Sequence, residues 1–124
     1  MIKFVIEGRL DGLNEYTSAN RTNKYQGAKA KQVNEDYVAL FIKAFRLKPV
    51  KSYPVELDIT WYETNRKRDV DNITFSVKFI QDALVKCGII ENDSQKYIKK
   101  LTHTVEVDTK KPRIEVVIRE LGEC

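Results

Sequence analysis

The stretch YPVELDITWYETNRKRDVDNITFSVKFIQDALVKCG, residues 53–88, carries two periodicities back to back. Over Tyr53–Glu63, the apolar Val55, Leu57, Ile59 and Trp61 alternate with Glu56, Asp58 and Thr60. Period two marks a strand with one buried face. A basic loop, Asn65 to Arg68, then leads into DVDN. From about Asn72 to Lys86, residues Ile73, Val77, Ile80 and Leu84 fall within about 60° of one another at 100° per residue. That is the stripe of an amphipathic helix, and Gly88 is placed to stop it.

Working outward, Ile2 to Leu10 (IKFVIEGRL) has a loose alternation that predicts an opening strand. Asp11 to Asn23 is polar and reads as a long loop. Lys24 to about Arg46 predicts a helix, with Val33, Tyr37, Leu40, Phe41 and Ala44 on one face. Pro49 closes it, because proline lacks the N–H a continuing helix needs. Beyond Gly88, the loop IIENDSQ precedes a strand pair, Tyr97 to Val107 and Arg113 to Glu120, joined by a turn at Asp108 to Pro112. The order is β-α-β-α-β-β. It predicts an α+β single domain with a mixed or antiparallel sheet packed by two helices.

Composition narrows the function classes. At 124 residues and 42% hydrophobic content, one domain with its own core is expected, and a disordered tail is excluded. No apolar run approaches the ~20 residues of a membrane span. The alternating N-terminus is unlike a signal peptide. Two cysteines, Cys87 and Cys124, are too few and too far apart for a disulfide scaffold or zinc knuckle. A cytoplasmic location is the simplest expectation. The net charge of +4 permits a polyanionic partner without demanding one.

The chemistry concentrates in RKRDVDNITF, Arg66 to Phe75. Asp69 and Asp71 stand two apart, which in extended backbone puts both carboxylates on one side of the chain. Asp93 follows in the loop after the helix. It lies some 22 Å away along the helix axis unless that loop folds back or another chain supplies the partner. Mg²⁺ takes oxygen ligands and is held by few carboxylates plus substrate phosphate, so three Asp residues suit Mg²⁺ or Mn²⁺ far better than zinc. Arg66, Lys67 and Arg68 abut these acids, setting phosphate-contacting cations beside metal ligands. A purely structural reading stands beside this one: Asp71 as a helix N-cap. A calcium loop is excluded, since Ile73 occupies the next alternating ligand position.

The block RKRDVDNITFSVKFIQDALVKCGIIENDSQ closely resembles the RusA-like Holliday junction resolvases of bacteria and their prophages. The matching parts stand in order: Arg68, Asp69, Asp71, Asn72, Lys78, Asp82, Ala83, Leu84, Gly88, Asp93 and Gln95. Leu13 to Gln32 also looks like the family's N-terminal loop and first helix, without the frequent proline pair. The resemblance implies that residues 1–124 form one homodimeric, Mg²⁺-dependent endonuclease domain that cuts two strands of a four-way junction symmetrically. It implies metal-binding carboxylates at Asp69, Asp71 and Asp93. The family's catalytic lysine lies one helical turn after the second Asp, where this chain has Phe75. Counted back from Asp82 the position is Lys78, as if three residues had been inserted near the helix start. On pattern alone Lys78 equally reads as a solvated lysine paired with Asp82.

Elsewhere, Phe75 and Phe79 fall off the Ile73–Leu84 face and read as core or as a dimerisation patch. His103, in a strand between threonines, reads as structural, and Cys87 as a buried helix-end thiol. Arg21, Lys24, Arg66, Lys67, Arg68, Asn72 and Lys96 are the candidate DNA contacts, within basic clusters that together suit a phosphate-tracking surface. A non-catalytic branched-DNA-binding protein on the same fold is the alternative expectation.

Overall fold

The computed structural model describes residues 1–122. Cys124 therefore lies outside the described residues. The elements are β1 (Ile2–Glu7), α1 (Leu13–Thr22), α2 (Lys24–Ala44), β2 (Val55–Glu63), α3 (Val70–Thr74), α4 (Val77–Lys86), β3 (Ile98–Val107) and β4 (Arg113–Glu120). They form a four-stranded mixed sheet of order β1-β4-β2-β3. β4 runs antiparallel to both β1 and β2, while β2 and β3 are parallel. The α+β class and the mixed sheet are as expected from sequence.

The alternation in β2 is the centre of the core. Val55, Leu57, Ile59 and Trp61 are buried and are flanked by Phe4 and Ile6 of β1 and by Ile114, Val116 and Ile118 of β4. Ile73, Phe79, Ile80, Ala83 and Leu84 of α3 and α4 complete it. The Ile73–Leu84 stripe is thus the buried one in large part, since Val77 packs against the core while only partly covered.

Four expectations are corrected. First, Asp11–Asn23 is no loop: α1 fills most of it. This helix has no buried residue, so it leaves no apolar period to read. Polar contacts hold its start instead. The Gly12 N–H donates to Glu15 Oε1 at 3.0 Å, and the Asn14 N–H to Asn72 Oδ1 at 2.9 Å. Second, α2 turns a different face inward. Gly27, Asn34, Glu35, Val38 and Ile42 are buried, while Val33 and Leu40 are 57% and 59% exposed. Burying Glu35 and Asn34 is tolerable because both find partners. Asn34 donates to Asp11 Oδ2 at 2.9 Å, and Glu35 pairs with Lys31 and Lys86.

Third, the helix after DVDN is two pieces, α3 and α4, broken at Phe75–Ser76. Ser76 is buried, and its hydroxyl donates to the Asp11 carbonyl, anchoring the break to the α1 entry loop. Fourth, β3 and β4 are not neighbours. β2 lies between them, and the Asp108–Pro112 turn crosses its end, where the Asp108 N–H donates to the Glu63 carbonyl at 2.8 Å.

Candidate active site

β2 ends on Glu63, and the loop that follows carries the acids. Glu63 is 4% exposed, a poor place for a carboxylate without compensating charge. Its Oε1 accepts from Arg9 Nη1 at 3.1 Å and from Arg68 Nη1 at 3.3 Å. Arg68 Nη2 extends the clamp to Glu15 Oε1 at 3.2 Å and to the Leu10 carbonyl at 3.4 Å. A Cβ on Gly12 would overlap this guanidinium and would lie 2.7 Å from the Asn72 carbonyl oxygen, so glycine alone lets α1 approach α3 this closely. Two candidate DNA contacts, Arg68 and Asn72, are therefore engaged within the protein.

This scaffold presents Asp69 and Asp71 outward. Asp69 occupies the N-cap position of α3 (φ −68°, ψ 154°), yet its side chain makes no capping hydrogen bond. Asp71 sits inside the first turn, so it is not the N-cap residue. Both are exposed, and among the described residues neither carboxylate has a hydrogen-bond or ion-pair partner. Two unengaged carboxylates at one helix start are a donor set that fits a hard, oxygen-binding cation. Arg66 and Lys67, immediately before them, are exposed and their side chains are likewise unpaired among the described residues.

Asp93 does not stand at the far end of α4. The 89–97 loop doubles back so that Asp93 Oδ2 lies 3.2 Å from Lys78 Nζ, in the first turn of the helix. Lys78 also lies 3.1 Å from Asp82 Oδ1. These two carboxylates, Asp82 first, hold the ammonium pKa above the ordinary lysine value against a smaller opposing effect of burial. Asp82 in turn faces Lys31 of α2 at 3.6 Å, and Lys31 faces Glu35 at 3.8 Å. The whole chain of alternating charge lines an open cleft of about 420 Å³. Asp93 is thus joined to Lys78. Among the described residues no three His, Cys, Asp or Glu side chains close on one point, so Asp93 does not join Asp69 and Asp71 as a ready-made trio.

The remaining candidates divide by surroundings. Arg21 and Lys24 are exposed at the α1–α2 corner, and Lys96 is exposed with its ammonium 5.7 Å from the Tyr97 ring. Phe75 packs on Tyr16 and Phe79 with ring centroids 5.5 and 5.8 Å away, and Phe79 is 1% exposed. These aromatics are core rather than an exposed patch. His103 Nδ1 accepts from Trp61 Nε1–H at 3.0 Å. Cys87 is a free thiol at the α4 C-cap. Nothing in the sequence singled out Glu35 or Lys86, and Lys31 stood out only as one member of a basic cluster with Arg21, Lys24 and Lys29. The Lys31–Glu35 spacing of four was visible, but nothing in it announced that Glu35 is buried.

Residues 13–119 match the family model described as Endodeoxyribonuclease RusA. The chain belongs to this family. The RusA match opens at the first residue of α1 and closes inside β4, so it spans the acidic loop, both halves of the broken helix and the Asp93 loop. It leaves out β1. No curated protein matches the chain. No helix among the described residues is long and apolar enough to cross a membrane.

Proposed function

We propose that the protein is a divalent-metal-dependent, structure-selective endodeoxyribonuclease that resolves Holliday junctions by paired, symmetric cleavage in DNA recombination or repair, in a phage or prophage setting. The observation that carries this reading is the exposed pair Asp69 and Asp71 on a clamped loop beside Arg66 and Lys67, all four side chains unpaired among the described residues. RusA family membership supports the nuclease chemistry.

In this reading Asp69 and Asp71 hold Mg²⁺, or Mn²⁺, with Asp93 as a further ligand from the same or a second subunit. A bound ion of this kind supplies activation of water and neutralisation of charge on the phosphodiester. The chain's own residues do the rest. Arg66 and Lys67 bring the scissile phosphate to the carboxylates. Lys78 places a positive charge where the pentacoordinate phosphorus carries extra negative charge. Water attacks phosphorus and gives up a proton, the bond to the bridging sugar oxygen breaks, and that proton is made good on the leaving oxygen, which departs as a sugar hydroxyl. Arg21, Lys24 and Lys96 extend the phosphate contacts, which gives salt-dependent affinity with little base discrimination. Two nicks placed symmetrically call for two sites, hence a two-fold homodimer matched to the pseudo-two-fold symmetry of a four-way junction.

The alternative, a branched-DNA-binding protein without cleavage, draws on one observation. At the offset of the family's catalytic lysine stands Phe75, packed against Tyr16. Asp71→Asn separates the readings: the proposal expects cleavage to fall by at least ~10²-fold while junction binding is kept or strengthened. Unchanged cleavage by Asp71→Asn contradicts it.

A further inference from the structure

Lys78 and Asp82 are four apart on α4, the spacing of an ordinary helix-surface pair. Three features make this pair different. The lysine precedes the acid, which is the less favourable order for the helix dipole, so helix stability does not explain it. The acid is largely covered, with its side chain 17% exposed against 52% for the lysine. Finally, both ends of the pair have another partner. Asp93 also accepts from the ammonium, at 3.2 Å, and Lys31, from another helix, faces the buried Asp82 Oδ2, which has no hydrogen-bond partner among the described residues.

From this arrangement we infer that Asp82 is a positioning residue. It holds the Lys78 ammonium against Asp93, and Lys31 is the counter-cation that keeps Asp82 turned toward α2. This inference rests on the proposed nuclease reading and deepens it. A lysine has four rotatable bonds and loses its freedom of placement when its three donors are taken up. Asp93 Oδ2 accepts from the Lys78 ammonium and Asp82 Oδ1 pairs with it, while the ammonium still lines the cleft. The helix break at Phe75–Ser76 gives the geometry its purpose. It puts Lys78 on the first turn of α4, where it meets the returning Asp93 loop. Asp82 does not touch the reacting phosphate in this account. It acts through Lys78.

The test is a double-mutant cycle of Lys78→Ala and Asp82→Asn, read as junction cleavage, with thermal melting of each variant as the control on folding. Asp82→Asn keeps the shape of the side chain and removes its charge. The expected result is a fall in kcat of about 10–100-fold with KM for the junction changed less than about threefold. In the Lys78→Ala background the same substitution costs nothing further. A second readout does not depend on cleavage. Acetylation at Lys78 of the folded protein, followed residue by residue through peptide mass spectrometry, speeds up several-fold in Asp82→Asn, and more than at Lys67, which has no such partner among the described residues. Asp82→Glu, which restores the charge, returns kcat part-way. Additive losses in the cycle, or an unchanged Lys78 labelling rate, overturn the positioning role while leaving the nuclease reading standing. A wild-type protein that cuts no branched DNA overturns both.

Discussion

Arg68 Nη1 lies 3.3 Å from Glu63 Oε1, so the last residue of β2 grips the residue immediately before the acidic pair. The grip is reinforced from the other side by Arg9 at 3.1 Å. A buried carboxylate between two guanidinium groups makes the register of Asp69 and Asp71 a property of the sheet and not of a free loop.

Removing that carboxylate takes the Nη1 acceptor from a mostly covered guanidinium, Arg68 being 15% exposed, and leaves it only Glu15 and the Leu10 carbonyl on Nη2. Glu63→Ala is expected to lower stability by about 1.5–3 kcal/mol, the range for hydrogen bonds to charged groups. Glu63→Gln, which keeps an acceptor oxygen, costs less. Urea denaturation of both variants checks this, and equal midpoints for Glu63→Ala and wild type would contradict it.

Phe75 stands where the proposed reading, counted forward from Asp71, would place a lysine. Its ring sits between Tyr16 of α1 and Phe79 of α4. Phe75→Lys is expected to lose about 2 kcal/mol of apolar burial and to give no cleavage back to a Lys78→Ala protein. Recovery of cleavage in that double variant would assign the lysine role to position 75.

His103 is the protein's one histidine and Trp61 its one tryptophan, and they are hydrogen-bonded to each other. Desolvation lowers the His103 pKa below the ordinary value of 6.5. The neutral ring is the native form, since its Nδ1 accepts from the indole. As pH falls through 6.5 the unfolded chain takes up a proton that the folded chain refuses. This contribution to stability is therefore complete above that pH and is lost below it. Trp61 fluorescence during urea unfolding at pH 7.5 and 5.5 measures the effect, and His103→Gln should flatten the difference. A variant with the same pH response as wild type would remove His103 as the cause.

What was legible in the sequence, and what was not, follows from where burial and polarity coincide. β2 was plain because its alternation is clean and its position central, with partners on both sides. The charged faces misled. The α2 pattern at Val33, Tyr37 and Leu40 is periodic but faces outward, because Asn34 is hydrogen-bonded to Asp11 and Glu35 is paired with Lys31 and with Lys86 of another helix. α1 was invisible for a related reason, as a helix held by polar contacts at Gly12 and Asn14 has no apolar period. Strand order was equally out of reach: β3 and β4 are linked by a short turn, yet each pairs with β2. In the candidate site, local spacing singled out Asp69 and Asp71 as candidates, and the structure shows both carboxylates exposed at the start of α3. The return of Asp93 to Lys78 depends on the path of the 89–97 loop, which no local pattern encodes.

Metal-dependent cutting of branched DNA can be read directly from cleavage of an end-labelled synthetic four-way junction beside a linear duplex of the same sequence, with Mg²⁺ and with EDTA. Paired, symmetric nicks are expected on the junction in Mg²⁺, with none in EDTA and none on the duplex. Tight junction binding with no nicks in either Mg²⁺ or Mn²⁺ would contradict this expectation.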